Sequence, residues 1–163
     1  MTPAERTYAV LPPEAFTSMS GIDTLQAMIV GQLPAPPMAR TMGILLIEAE
    51  PGRVVFSGEP REEHFNPQGI IHGGWAATIL DSALGCATHT TLASGEAYTT
   101  VEMKVNYLRP IFPGKGGFRC EAQVVNRGRT LCLTEARLVD SAGKLYAHGS
   151  ETCMIFPAKG RQI

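Results

Sequence analysis

The chain has 163 residues, 44% hydrophobic and 18% charged, with a formal net charge of −1, which suits one folded domain with a sizeable core and argues against disorder. Without a basic stripe or an acidic tail, charge points to no nucleic-acid partner. No uncharged apolar run approaches the ~20 residues that cross a bilayer, the start MTPAERTYAVLPPEAF lacks the basic opening and apolar core of a leader, and Cys86, Cys120, Cys132 and Cys153 form no CxxC pair, so the expectation is a cytoplasmic protein with reduced thiols, no metal and no membrane partner.

In chain order, residues 14–31 read as a helix with Ile22, Leu25, Met28 and Ile29 at helical spacing. The run LPAPPMA over 33–39 stops it, because proline lacks the N–H that a continuing helix needs. Residues 43–50 and 53–58 read as two strands joined at the turn EPGR. A long apolar helix is expected over 72–90. Four strand-like stretches follow at 98–107, 117–126, 130–139 and 144–156, separated by RPIFPGKG, NRGR and DSAG. In the first of them Val101, Met103, Val105 and Tyr107 alternate with Glu102, Lys104 and Asn106, which predicts one buried face.

Short turns imply antiparallel pairing. A single central helix that is apolar on most sides must be covered, and a curved sheet wrapped around it does so with the strands available. The expected class is α+β, with a helical N-terminal extension over 1–39, the main domain over 40–157 and a tail over 158–163.

The central helix buries Trp75, Ala76, Ala77, Ile79, Leu80, Ala83, Leu84 and Ala87 in this reading. One stripe stays small or polar: Thr78, Asp81, Ser82, Gly85 and His89. It could simply face solvent. Its small residues equally suit the close approach of another chain, and a carboxylate at such an interface is open to tuning as a base or nucleophile. The helix opens on His72-Gly73-Gly74, where unpaired N–H groups and the positive end of the dipole can polarise a carbonyl oxygen. Asp81 lies eight residues beyond Gly73, roughly 12 Å along a helix. Both cannot act on one carbon from a single helix, because reacting groups must lie within ~3–3.5 Å. Catalysis would therefore need a two-fold dimer that shares its sites.

Asn66-x-x-Gly69-x-x-His72-Gly73-Gly74, then Asp81, then Thr100-Val101-Glu102-Met103-Lys104-x-x-Tyr107-Leu108-Arg109-Pro110, then Arg127-Gly128-Arg129 resembles the hotdog-fold acyl-CoA thioesterases, in the PaaI-like branch related to 4-hydroxybenzoyl-CoA thioesterases. The resemblance covers residues from about 40 to 156, and the extended N-terminus is similar to that of some PaaI-like members. It implies a long helix wrapped by an antiparallel sheet, a homodimer and often a homotetramer. It implies hydrolysis of an aromatic or short- to medium-chain acyl-CoA with no cofactor beyond the coenzyme A of the substrate. Carried across by residue, Asp81 is the nucleophile or the base for water, and Gly73 the backbone donor to the thioester carbonyl. Asn66 positions the thioester or the water, Thr100 orients that water, and His72 supports the glycine. Arg109 and the Arg127-Gly128-Arg129 turn fall where relatives hold the nucleotide and phosphates. The chemistry is self-sufficient: a thiolate leaves readily, so one carboxylate and one oxyanion site suffice, and arginine's planar fork suits phosphate.

Two alternatives stay open. His64-Phe65 resembles the opening of hotdog hydroxyacyl-thioester dehydratases, although the prolines that follow in that motif are missing here. A non-catalytic acyl-CoA sensor could keep the arginines and would not need Asp81. PGKGG at 113–117 is no phosphate-binding P-loop, since no Ser or Thr follows its lysine. His64, His89 and His148 read as structural or exposed.

Overall fold

One capping serine and several prolines divide the N-terminal quarter into three short helices. In a computed structural model, which describes residues 6–158, α1 spans Pro13–Ser18, α2 Gly21–Ile29 and α3 Pro37–Met42. The single helix expected over 14–31 is interrupted because Ser20 caps α2, its Oγ accepting from the Asp23 N–H at 3.3 Å. α2 ends at Ile29, ahead of the proline run, and the run expected to end a helix instead starts one. Pro37 opens α3, where a missing N–H removes no hydrogen bond. Gly43 closes it at φ +62°, a left-handed conformation that glycine adopts freely.

The remaining elements keep the expected order: β1 Ile44–Glu50, β2 Arg53–Gly58, a one-turn 3-10 segment Glu62–His64, α4 Gly73–His89, β3 Glu96–Tyr107, β4 Phe118–Arg127, β5 Leu131–Asp140 and β6 Leu145–Pro157. The strands form one six-stranded sheet in the order β1-β2-β4-β5-β6-β3, every pair antiparallel. The sheet wraps α4, whose Ile79, Leu80, Ala83, Leu84 and Ala87 are fully buried. Trp75, also buried, donates its indole N–H to the Met42 carbonyl at 2.8 Å and ties α4 to α3. Among the described residues no helix is long and apolar enough to cross a membrane.

Strand β3 departs from its expected pattern. Met103 and Val105 pack on the core, whereas Val101 and Tyr107 are 59% and 56% exposed. The pairing with β6 shifts register between Thr100 and Glu102, which places Val101 in a bulge. β3 is also a sheet edge, so among the described residues no further strand lies beyond it.

Candidate active site

The site residues fall at two places along α4. At its N-terminus His72 is the capping residue: its Nδ1 accepts from the Gly74 N–H at 2.8 Å. A neutral imidazole that accepts at Nδ1 carries its proton on Nε2. The Gly73 N–H precedes that cap and has no hydrogen-bond partner among the described residues. It is one of the orphan donors at the positive end of the helix. Asn66 stands beside it in a turn. Its Oδ1 accepts from the Gln68 and Ile70 N–H groups at 2.9 and 3.3 Å, which leaves the amide NH2 as a donor. Asn66, His72, Gly73 and Arg109 line one cavity of about 300 Å³, with Tyr107 closing over Gly73. Arg109 is exposed and donates to the Leu145 carbonyl.

Two turns further along α4, Asp81 is exposed and opens on a second cavity, of about 490 Å³. Thr100 of β3 lines it, as do Ser82, Gly85 and His89 of the small-residue stripe. Leu25, Met28, Leu46 and Phe56 supply apolar wall, and residues 34–39 of the N-terminal segment enclose it. The stripe is therefore partly roofed by this chain's own N-terminus. Gly85 is required by contact: a Cβ there would lie 2.7 Å from the Tyr98 Oη. Tyr98 also meets His89 edge to face, with ring centroids 5.8 Å apart. Burial lowers the His89 pKa to about 4, which leaves the imidazole uncharged at neutral pH.

A second carboxyl group lies beside Asp81. Glu151 of β6 is fully buried. Its Oε1 accepts from the Thr100 hydroxyl at 3.0 Å and from the Cys153 thiol at 2.9 Å, while its buried Oε2 has no partner among the described residues. Burial, reinforced by the charge of Asp81, pushes the Glu151 carboxyl up to about 7. The sequence reading passes over this residue. Its signal was available in the period-two pattern of β6, where Ala147, Gly149, Glu151, Cys153 and Ile155 all face inward. A glutamate in that series is a charge on the core face.

The predicted set is thus divided within one chain. Asn66, His72, Gly73 and Arg109 stand at one end of α4, and Asp81 and Thr100 share the other cavity. The Arg127-Gly128-Arg129 turn lies past the C-terminal end of α4. There Arg127 pairs with Glu96 at 3.3 Å, donates to Thr91 and bonds the Gly128 and Arg129 carbonyls. Arg129 is exposed. Among the other histidines, His148 is exposed. His64 is buried, with Nδ1 accepting from the Arg61 N–H at 2.9 Å and Nε2 meeting the Thr41 carbonyl at 3.0 Å. One ring nitrogen serves its own turn and the other meets α3, so both are engaged in holding the segment and not in the dehydratase-like role considered for His64-Phe65.

Residues 68–147 match the family model described as the thioesterase superfamily. The acyl-coenzyme A thioesterase 13 of Homo sapiens is 34% identical over 138 residues, covering 83% of this chain and 96% of that protein. Among solved structures, a phenylacetic acid degradation-related protein from Ralstonia eutropha JMP134 superposes with a TM-score of 0.73 at 28% identity, covering 80% of this chain and 98% of that one. The PaaI protein of the E. coli phenylacetic acid degradation operon shares the fold, with a TM-score of 0.72 at 21% identity over 86% of this chain and 96% of that one.

Proposed function

The chain belongs to the thioesterase superfamily as a PaaI-like hotdog thioester hydrolase, and on that basis we propose that it hydrolyses an aromatic or short- to medium-chain acyl-CoA at sites shared between two copies. The carrying observation is that an apolar cavity ends on the side of α4 that bears Asp81, with Thr100 across from it. Its volume of about 490 Å³ lies within the ~300–1,000 Å³ usual for small-molecule pockets.

In this proposal the Gly73 N–H and the positive end of α4 receive the thioester oxygen, and the Asn66 amide donates beside them. Asp81 delivers the attacking oxygen, its own or that of a water it deprotonates. The carbonyl carbon gains that oxygen, the C–S bond breaks, and the sulfur leaves as thiolate; where the oxygen is Asp81's own, a water then cleaves the acyl–aspartyl anhydride, releasing the acid and restoring the carboxylate. His72 acts by capping and orienting the glycine turn. In the same proposal Arg109 and Arg129, both exposed, meet the phosphates, with Arg127 and Gly128 holding the turn.

Division of the site along α4 supports a two-fold dimer. The outer edge of β3 is unpaired among the described residues, which suits antiparallel pairing with a second copy. Such pairing would bring the Gly73 end of one helix to the Asp81 end of the other. Leu131, Leu133 and Met154, exposed on β5 and β6, offer a second apolar surface for a homotetramer.

Free-thiol release from a panel of acyl-CoAs tests the assignment. Asp81→Asn should lower kcat by roughly 10²-fold or more while KM holds. Binding of acyl-CoA without thiol release by the wild type would instead favour a sensor. Single turnover in ¹⁸O-labelled water bears on the two roles of Asp81: an unlabelled product together with label on the Asp81 carboxylate shows direct attack followed by hydrolysis at the aspartyl carbon, and a rapid-quench trap for the acyl–aspartyl anhydride detects direct attack whichever carbon the water takes.

A further inference from the structure

Glu151 is a buried acid with half of its carboxyl accounted for. Oε1 accepts two hydrogen bonds, from Thr100 and Cys153, and Oε2 accepts none among the described residues. The titratable groups that face it are Asp81 and Cys86 from α4, Tyr98 from β3 and Cys153 on its own strand. Each is an acid, and no cation of the described residues stands among them. An ionised carboxylate in such surroundings is strongly disfavoured, and a proton is the simplest remedy. Oε1 is already an acceptor, so that proton belongs on Oε2, and the Asp81 carboxylate, which interacts with Glu151, is the acceptor open to it.

We propose that Glu151 holds a proton on Oε2 and donates it to Asp81, so that the two carboxyl groups form an acid–carboxylate pair with a single negative charge and Glu151 acts as a positioning residue for Asp81. The positioning role rests on the assignment of Asp81 as the attacking carboxylate or base, whereas the protonation of Glu151 does not. The two acids then have separate tasks. Asp81, exposed to the cavity, meets the substrate. Glu151, sealed behind it and held by Thr100 and Cys153, fixes the direction of the Asp81 oxygens and keeps the local charge at one. The rise of the Glu151 carboxyl to about 7 agrees with this arrangement. When pH rises through that value the proton leaves, the donor to Asp81 is lost, and a like charge replaces it. Turnover should then fall on the alkaline side.

The test pairs kinetics with a spectroscopic count of the proton. Glu151→Gln keeps an Oε1 acceptor for Thr100 and Cys153 and puts a permanent N–H donor where the Oε2 proton sits. Wild-type kcat is expected to fall about tenfold from pH ~6 to ~8.5, with KM nearly constant, and E151Q should abolish that fall. Glu151→Ala should lower kcat about tenfold to a hundredfold at every pH, because Asp81 loses its partner. Infrared difference spectra should show a buried protonated carboxyl band at pH ~6 that titrates near 7, is missing in E151Q, and titrates lower in Asp81→Asn, where the repelling charge is gone. An alkaline fall that persists in E151Q would overturn the positioning role. Identical carboxyl bands in wild type and E151Q would overturn the shared proton. The infrared titration needs no turnover, so a wild type inert toward every thioester would sink the functional assignment and still leave the proton measured.

Discussion

At the scale of single residues, Glu151 and His89 couple stability to pH in opposite directions. The Glu151 carboxyl titrates near 7 in the fold against 4.5 in the unfolded chain, so between those values the folded protein holds a proton that the unfolded chain has released. Its contribution is complete below pH ~4.5 and is lost as pH rises through about 7, a loss of up to ~3 kcal/mol. His89 titrates near 4 in the fold against 6.5 unfolded, so its contribution is complete above 6.5 and is lost as pH falls toward 4. The two offset each other over the shared window. Urea unfolding should therefore give a flat stability profile for the wild type between pH ~4.5 and ~6.5, while E151Q gains stability with rising pH across that interval. At lower pH, Glu48, whose pKa is lowered by its hydrogen bond to Arg119 at 2.8 Å, adds a further loss as it protonates. The thiols of Cys86 and Cys153, pushed up to about 12 chiefly by burial, stay protonated throughout.

At the scale of elements, the central helix was legible because its pattern is long and one-sided. Residues 72–90 were expected and Gly73–His89 form α4. Every residue expected to be buried is so except Ala77, which is half-buried beside the stripe, while Gly85 of the stripe and Thr88 are buried as well. The N-terminal helices were less legible. A capping serine split one expected helix, α2 stopped at Ile29 ahead of the proline run, with Gly31 following at φ +79°, and Pro37 began α3, choices that depend on where each segment docks. Their docking matters for the cavity, since α2 supplies Leu25 and Met28 to its wall. Met28 is half-buried there. Met28→Trp should narrow the cavity and lower kcat/KM for the longer acyl groups by roughly 10–200-fold relative to the shortest, the range that pocket volume commands. A uniform loss across the panel would place the acyl group elsewhere.

At the scale of the whole molecule, the separation of Gly73 from Asp81 makes a statement about assembly. If each site takes the Asn66–Gly73 end from one copy and Asp81 from the other, two inactive variants can repair each other. Asp81→Asn and Asn66→Ala, unfolded and refolded together, should recover activity, because a mixed dimer contains one site with both native groups and one with neither. About half the dimers in an equimolar random mixture are mixed and carry one repaired site out of two, so about a quarter of wild-type activity is expected. Recovery no greater than the average of the two variants would show that one chain holds a complete site.

The order of elements, the antiparallel pairing and the buried faces of α4 followed from the sequence itself. They rest on periodicity, turn chemistry and the need to cover an apolar helix, all of which are local or compositional. Asp81 and Gly73 could be singled out for the same reason, since one stands on a helix face and the other at a helix start, whereas Asn66 came from the family resemblance. Tertiary structure decided what those motifs could not carry. It set Glu151 behind Asp81, although the two are seventy positions apart, by hydrogen-bonding β6 to β3 and packing both against α4. It committed Arg127 to Glu96 and turned the N-terminal segment into a cavity wall. It also exposed Val101 by bulging an edge strand. Each outcome depends on which distant segment lies opposite, and side-chain spacing along one chain segment does not encode that.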